Sequence, residues 1–169
     1  MDMKLTKRPK MNLPNSSFEN LVEIIAAFGL VFTIYTIFTS WPALPERIPT
    51  HFGFSGNPDA WGGKSSMMMF PVLAFLLYTG LSIFQRFPHI YNYPVKLTEE
   101  NVERQYRIAR NMMICIKAEI VWTFAVIEWQ IVQVALGKAV GLGPNFLILI
   151  IVVIFATSGI GIYQAYRER

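Results

Sequence analysis

Charge is the first thing this sequence is short of. Only 15% of its 169 residues are Asp, Glu, Lys or Arg, against about a quarter in an ordinary soluble domain. The scarcity is concentrated: no formal charge falls between Ile24 and Pro45, between Ser65 and Gln85, or between Ala139 and Tyr166. Each run is long enough to cross a hydrocarbon layer of about 30 Å as a helix, which takes roughly 20 residues. Cysteine is nearly absent. A lone Cys115 permits no internal disulfide, and in an apolar segment it reads as a buried structural thiol rather than a nucleophile. The two histidines, His51 and His89, fall on opposite sides of the expected membrane and cannot share a metal. HExxH, GxSxG and a phosphate-cradling glycine loop are all missing. These absences argue against a disordered chain, a basic domain that binds nucleic acid directly, and an ordinary soluble enzyme. No cofactor is expected. A metal-dependent hydrolase would have to draw its ligands from His51, Glu46, Asp59 and Glu128, barely enough for the three or four that zinc requires.

What is present is apolar: 53% of the residues are hydrophobic and 14% aromatic. The chain reads as one all-α integral membrane domain over residues 1–169, a four-helix bundle with spans near 18–40, 67–87, 112–136 and 145–163. Ser16 and Glu19 have the spacing of a capping box at the first helix. Ser65 and Ser66 could cap the second, which tolerates Pro71 near its start and stops at Pro88. The third is interrupted by Lys117, Glu119 and Glu128. A secretory signal has an apolar core of only about 7–15 residues ending at small side chains. Residues 21–41 are longer and end in Trp-Pro, so the first run is read as a span.

Lys and Arg accumulate on the cytoplasmic side of a membrane protein. Eleven of them lie in the amino-terminal tail (Lys4, Lys7, Arg8, Lys10), between spans two and three (Arg86, Lys96, Arg104, Arg107, Arg110) and in the carboxyl tail (Arg167, Arg169). Three lie in the other connections (Arg47, Lys64, Lys138), and Lys117 is inside a span. Both termini are therefore expected in the cytoplasm. Residues 98–111 read as a basic cytoplasmic helix capped by Thr98, with Glu100 and Glu103 four residues before Arg104 and Arg107, running into span three. No sequence repeat relates the two helix pairs.

Residues 41–66, placed outside, are dense in turn-forming residues. Pro42, Pro45 and Pro49 prevent helix continuation. Alternation from Ile48 to Ser55 would put Ile48, Thr50, Phe52 and Phe54 on one face and Pro49, His51, Gly53 and Ser55 on the other. Ser55-Gly56-Asn57-Pro58-Asp59 is turn chemistry, with proline at the second position, and Trp41 and Trp61 read as interfacial anchors. Leu44-Pro45, Ile48-Pro49-x-His51-Phe52, Gly56, Asp59, Trp61 and Lys64 together resemble domain of unknown function 1648, the amino-terminal part of SdpI-like bacterial membrane proteins. The resemblance covers residues 29–78. It implies a multi-pass protein of the bacterial cell (inner) membrane with this loop outside. It also implies immunity to a secreted peptide, with a cytoplasmic repressor as the inner partner, and Pro45, Pro49, His51, Phe52, Gly56, Asp59, Trp61 and Lys64 as the loop signature.

Ionisable side chains inside a bilayer default to pairing or function. Glu23, Glu119, Glu128 and Gln130 are the intramembrane polar candidates. Glu23 and Glu119 lie close enough to the cytoplasmic ends of their spans to reach headgroups, and a proton-coupled exporter could be built on Glu23. Glu119 and Glu128, nine residues apart, point about 180° apart around a helix, so they are not a carboxylate pair. Gln130 shares the Glu119 face. Lys117 shares the Glu128 face but lies about 16 Å away along the axis. Glu128 is therefore expected to be held by the outward loop, through Lys64 first and His51 next. The leading function is binding of a peptide or envelope ligand by that loop; the runner-up is transport of a small substrate or proton through the bundle.

Overall fold

The computed structural model describes residues 8–169; Lys4 and Lys7, counted above for orientation, lie outside them. The chain forms α1 (Ser17–Ser40), β1 (Arg47–Phe52), β2 (Pro58–Gly63), α2 (Met69–Phe84), α3 (Val102–Ala135) and α4 (Phe146–Arg167). The all-α expectation is thus amended by a two-stranded antiparallel hairpin. Three helical stretches, Ser17–Ala43, Lys64–Phe84 and Phe146–Arg167, are long and apolar enough to cross a membrane. The 34-residue α3 runs unbroken through the expected cytoplasmic helix and third span and is not among those three stretches.

Local chemistry sets the ends. The Glu19 amide donates to Ser16 Oγ (3.1 Å) and the Ser16 amide to Glu19 Oε2 (2.7 Å), completing the expected capping box. Lys64–Met68 is a short 3₁₀ turn rather than a capped α-helix start, and Pro71 then occupies the third position of α2, where no intrahelical donor is needed. Thr98 does not begin a helix directly. Its hydroxyl accepts from the Asn101 amide (3.3 Å) while Asn101 Oδ1 accepts from the Thr98 amide (2.9 Å), and α3 starts after that reciprocal pair.

α3 is the central element, packed against α1, α2, α4 and β1. Ile37, Leu44, Ile48, Met67, Ile131 and Val132 form a buried cluster beneath the hairpin. Leu97, Val102 and Tyr106 form a second one at the opposite, basic end, closed over by Met11 and Leu13. α4 buries only Gly161 and Ala165 and leaves a band of Leu, Ile, Val and Phe uncovered. Such a face matches lipid rather than water.

The hairpin departs from simple alternation. Pairing runs Arg47 to Gly63, Ile48 to Gly62 and Pro49 to Trp61, then shifts register on both sides of His51. The bulge puts Ile48 and Pro49 inside together and Thr50 and His51 outside together. Phe52 packs against the core, but Phe54, expected on the same face, is 84% exposed. Pro58 opens β2 instead of sitting in the turn. The turn depends on Gly56, whose φ of +78° is in the left-handed region.

Candidate functional site

The hairpin is fixed from two directions. Ile48 and Pro49 are fully buried, and Leu44 and Met67 flank them. At the tip, the Leu142 amide donates to the Gly56 carbonyl (2.8 Å) and Gln130 Nε2 to the Gly141 carbonyl (2.5 Å). The hairpin tip and the α3–α4 connection are therefore clasped together, with Gln130 as the anchor on the helix. A Cβ on Gly56 would collide with the Gly143 backbone, so glycine is required there for both its dihedral and its fit.

What the clasped loops display is mixed in chemistry. His51 Nδ1 and Asp59 Oδ1 meet across the strands at 2.5 Å, with both side chains more than half exposed. Phe54, Trp61 (47% exposed) and Val140 (85%) are uncovered. Pro45 is exposed beside the buried Leu44. The signature residues thus divide: Pro49, Phe52 and Gly56 hold the scaffold, while His51, Asp59 and Trp61 face outward from it.

Lys64 does not reach Glu128. Its Nζ pairs with Glu46 Oε1 at 2.8 Å and lies over the Trp41 ring, 5.4 Å from its centroid. The Lys64 amide donates to the Glu46 carbonyl, so the hairpin's own register delivers a carboxylate to the lysine with no burial needed. His51 is taken by Asp59 for the same reason. The expectation that either residue holds Glu128 is therefore overturned. Glu128 is fully buried on the inner face of α3, and neither carboxylate oxygen has a hydrogen-bond partner among the described residues.

Glu23 is also placed differently from expectation. It turns into the bundle, where Lys117 Nζ, wholly buried, donates to Glu23 Oε2 (2.6 Å), Ser82 Oγ (2.9 Å) and Gln85 Oε1 (3.2 Å). The Tyr78 hydroxyl donates to Glu23 Oε1 (2.5 Å). Three helices are joined by this cluster. The sequence held a usable signal: Glu23 and Lys117 each lie five residues into their expected spans, which run in the same direction. A 620 Å³ cavity adjoins the cluster, lined among others by Glu23, Tyr78, Gln85, Arg86 and Arg110. Arg110 is tied to Glu19 (3.1 Å), the Leu13 carbonyl (2.7 Å) and Asn15 Oδ1 (2.6 Å), which pins residues 11–15 as one wall. Behind that wall Tyr91, Tyr93 and Tyr106 stack in a row. Burial pushes the Tyr91 hydroxyl up to about 12 against the opposing pull of Arg110, and raises Tyr93 as well.

Glu119 faces away from Glu128, as helical spacing required, and accepts a hydrogen bond from the Thr157 hydroxyl on α4. Its other oxygen is buried without a partner among the described residues. Those residues contain no cluster of three or more His, Cys, Asp or Glu side chains that could hold a metal ion.

Comparison with known proteins places the hairpin in context. A family model described as Domain of unknown function (DUF1648) matches residues 28–75, covering the second half of α1, the whole hairpin and the start of α2. The chain is 31% identical over 91 residues to an archaeal protein of Archaeoglobus fulgidus described as "Uncharacterized protein", an alignment covering 46% of this chain and 48% of the relative. The chain thus spans about half the length of the curated relative it matches. No solved structure matches it.

Proposed function

We propose that the chain is a four-span protein of the bacterial cell (inner) membrane, with both termini in the cytoplasm and the hairpin outside. In this reading the clasped hairpin binds a secreted peptide or envelope ligand, as in SdpI-like immunity and signal-transduction proteins, and a cytoplasmic repressor is the inner partner. The orientation rests on the eleven basic residues assigned to one side. One observation carries the binding reading: Phe54, Trp61 and Val140 stand uncovered around the His51–Asp59 pair on a backbone anchored by Ile48, Pro49 and Gly56. Exposed aromatic side chains on a rigid mount are the usual anchors of a recognition surface, and a preordered surface loses less entropy on binding.

The test is protection. A strain lacking the gene is exposed to culture supernatant of the producing organism, then complemented with wild type or with Phe54→Ala/Trp61→Ala. Wild type is expected to restore growth, and the double variant to fail at an unchanged level in the membrane. Equal protection by both would refute hairpin recognition. Transport is a second reading, favoured by the polar cavity whose lining includes Glu23, the carboxylate that pairs with the buried Lys117. It predicts that Glu23→Gln abolishes activity even at an unchanged level in the membrane, whereas the binding reading expects protection to fall only as far as loss of the Lys117 ion pair lowers that level.

A further inference from the structure

We propose that the groove between α3 and α4 binds a lipophilic organic cation, held by the Glu119 carboxylate against the Trp122 ring. The groove has a volume of 480 Å³ and is walled by Ile25 of α1, Trp122 of α3, and Phe146, Leu149 and Val153 of α4. That volume is in the range of about 300–1,000 Å³ that takes a drug-sized molecule. Its lining contains a single ionisable group, Glu119.

The position of that carboxylate calls for a cation. Thr157, its hydrogen-bond partner, is eleven residues from Phe146 and ten from Arg167, so Glu119 lies beside the middle of α4 rather than reaching the headgroups, as its place in the third span had allowed. A carboxylate at such depth defaults to pairing or function, yet one oxygen has no partner among the described residues. Lys117, two residues away on the same helix, points to the other side and is occupied by Glu23, Ser82 and Gln85. Arg110 is occupied by Glu19. Among the described residues no Lys or Arg pairs with Glu119, and a cation entering the groove would supply its counter-charge.

The groove's other features select its chemistry. Trp122 follows Glu119 by three residues and shares its face. Its indole is fixed, with Nε1 donating to the Ile25 carbonyl (3.0 Å) and Phe28 and Phe32 at 6.1 and 5.9 Å between centroids. A held indole beside a carboxylate is the pairing that recognises soft organic cations. The surrounding helix faces are uncovered Leu, Ile and Val, so a ligand arriving through lipid must itself be lipophilic. An anion would meet the Glu119 charge, and a hydrated metal ion would find too few oxygens.

The test uses the purified full chain in detergent, with equilibrium dialysis of labelled tetraphenylphosphonium and of tetraphenylborate, an anion of the same shape. Wild type is expected to bind the cation saturably and the anion at least about tenfold more weakly, the scale of one charge-assisted contact. Glu119→Gln should weaken cation binding by at least about tenfold on the same grounds. Val153→Trp, which fills the groove and spares Glu119, should abolish binding and serves if Glu119→Gln fails to fold. Phe54→Ala on the hairpin should leave binding unchanged, so this proposal stands or falls separately from hairpin recognition. Three results would each overturn it: no saturable binding, equal binding by Glu119→Gln, or equal uptake of the anion. Efficient disulfide formation between Leu149→Cys residues of two chains, after replacement of Cys115, would assign the groove to a second copy instead.

Discussion

Removing the ammonium of Lys117 should reveal how much of the bundle depends on one buried ion pair. Lys117 is completely buried, while the Glu23 side chain keeps 29% of its exposure and a hydrogen bond from Tyr78. Deleting one partner of a fully buried pair costs about 3–5 kcal/mol, because the other charge is stranded. Lys117→Met strands Glu23, which still has Tyr78 and the adjoining cavity, so its cost should fall near the bottom of that range, about 3 kcal/mol. Glu23→Leu strands a lysine with no exposure at all, and its cost should approach about 5 kcal/mol. The double variant leaves Ser82 and Gln85 short of a donor and Tyr78 short of an acceptor, a loss of about 1–3 kcal/mol. Reversible unfolding in mixed detergent micelles, followed by circular dichroism, gives the three values. The expected signature is an asymmetry with Glu23→Leu worse, and a coupling energy well above the roughly 0.3–0.5 kcal/mol scatter of independent sites. Additive losses within that scatter would refute the pairing. A Lys117→Met variant less stable than Glu23→Leu would refute the burial argument.

Three further outcomes are expected. Glu128→Met should raise stability by about 1–3 kcal/mol in the same unfolding assay, since it removes an unpartnered buried carboxylate; a loss would reveal a partner. Gly56→Ala should cost about 1–3 kcal/mol through strain at positive φ and speed amide exchange in residues 138–144, and normal exchange there would show that the clasp with the hairpin is not needed. Alkaline titration should show the tyrosinate absorbance of Tyr91 emerging near pH 12 rather than near the usual value of about 10. Because that hydroxyl is raised in the folded state, its contribution is full below pH of about 10 and is lost as pH climbs toward 12; Tyr91→Phe should remove that part of the alkaline destabilisation.

The helices were legible where a periodic or capping rule acts within one segment. Ser16 with Glu19, the unbroken passage into α3 and the opposed faces of Glu119 and Glu128 all follow from spacing along one helix. The hairpin was legible only in part, because alternation assumes a regular strand. Pro49 lacks an amide donor, the register slips around His51, and Phe54 is left outside. Pairing across elements was least legible. The sequence gives no rank order between Glu46 and Glu128 as partners for Lys64. The strand register decides that, by bringing Glu46 opposite Lys64 at the base of the hairpin. Spacing relates Lys117 only to residues on its own helix, whereas its partners lie on α1, on α2 and at the α2 C-cap.

The clasp between the two loops has a consequence for how such a surface could diversify. It is made by main-chain atoms of Gly56, Gly141 and Leu142 with one amide side chain, Gln130. Side chains at Phe54, Ser55, Asn57, Lys138 and Val140 take no part in it. The loops therefore work as a mount with an exchangeable face: the fittings are backbone, and the presented pattern can be recut without loosening them. A panel of variants at those five positions should retain the wild-type fold while its members part company in what they bind.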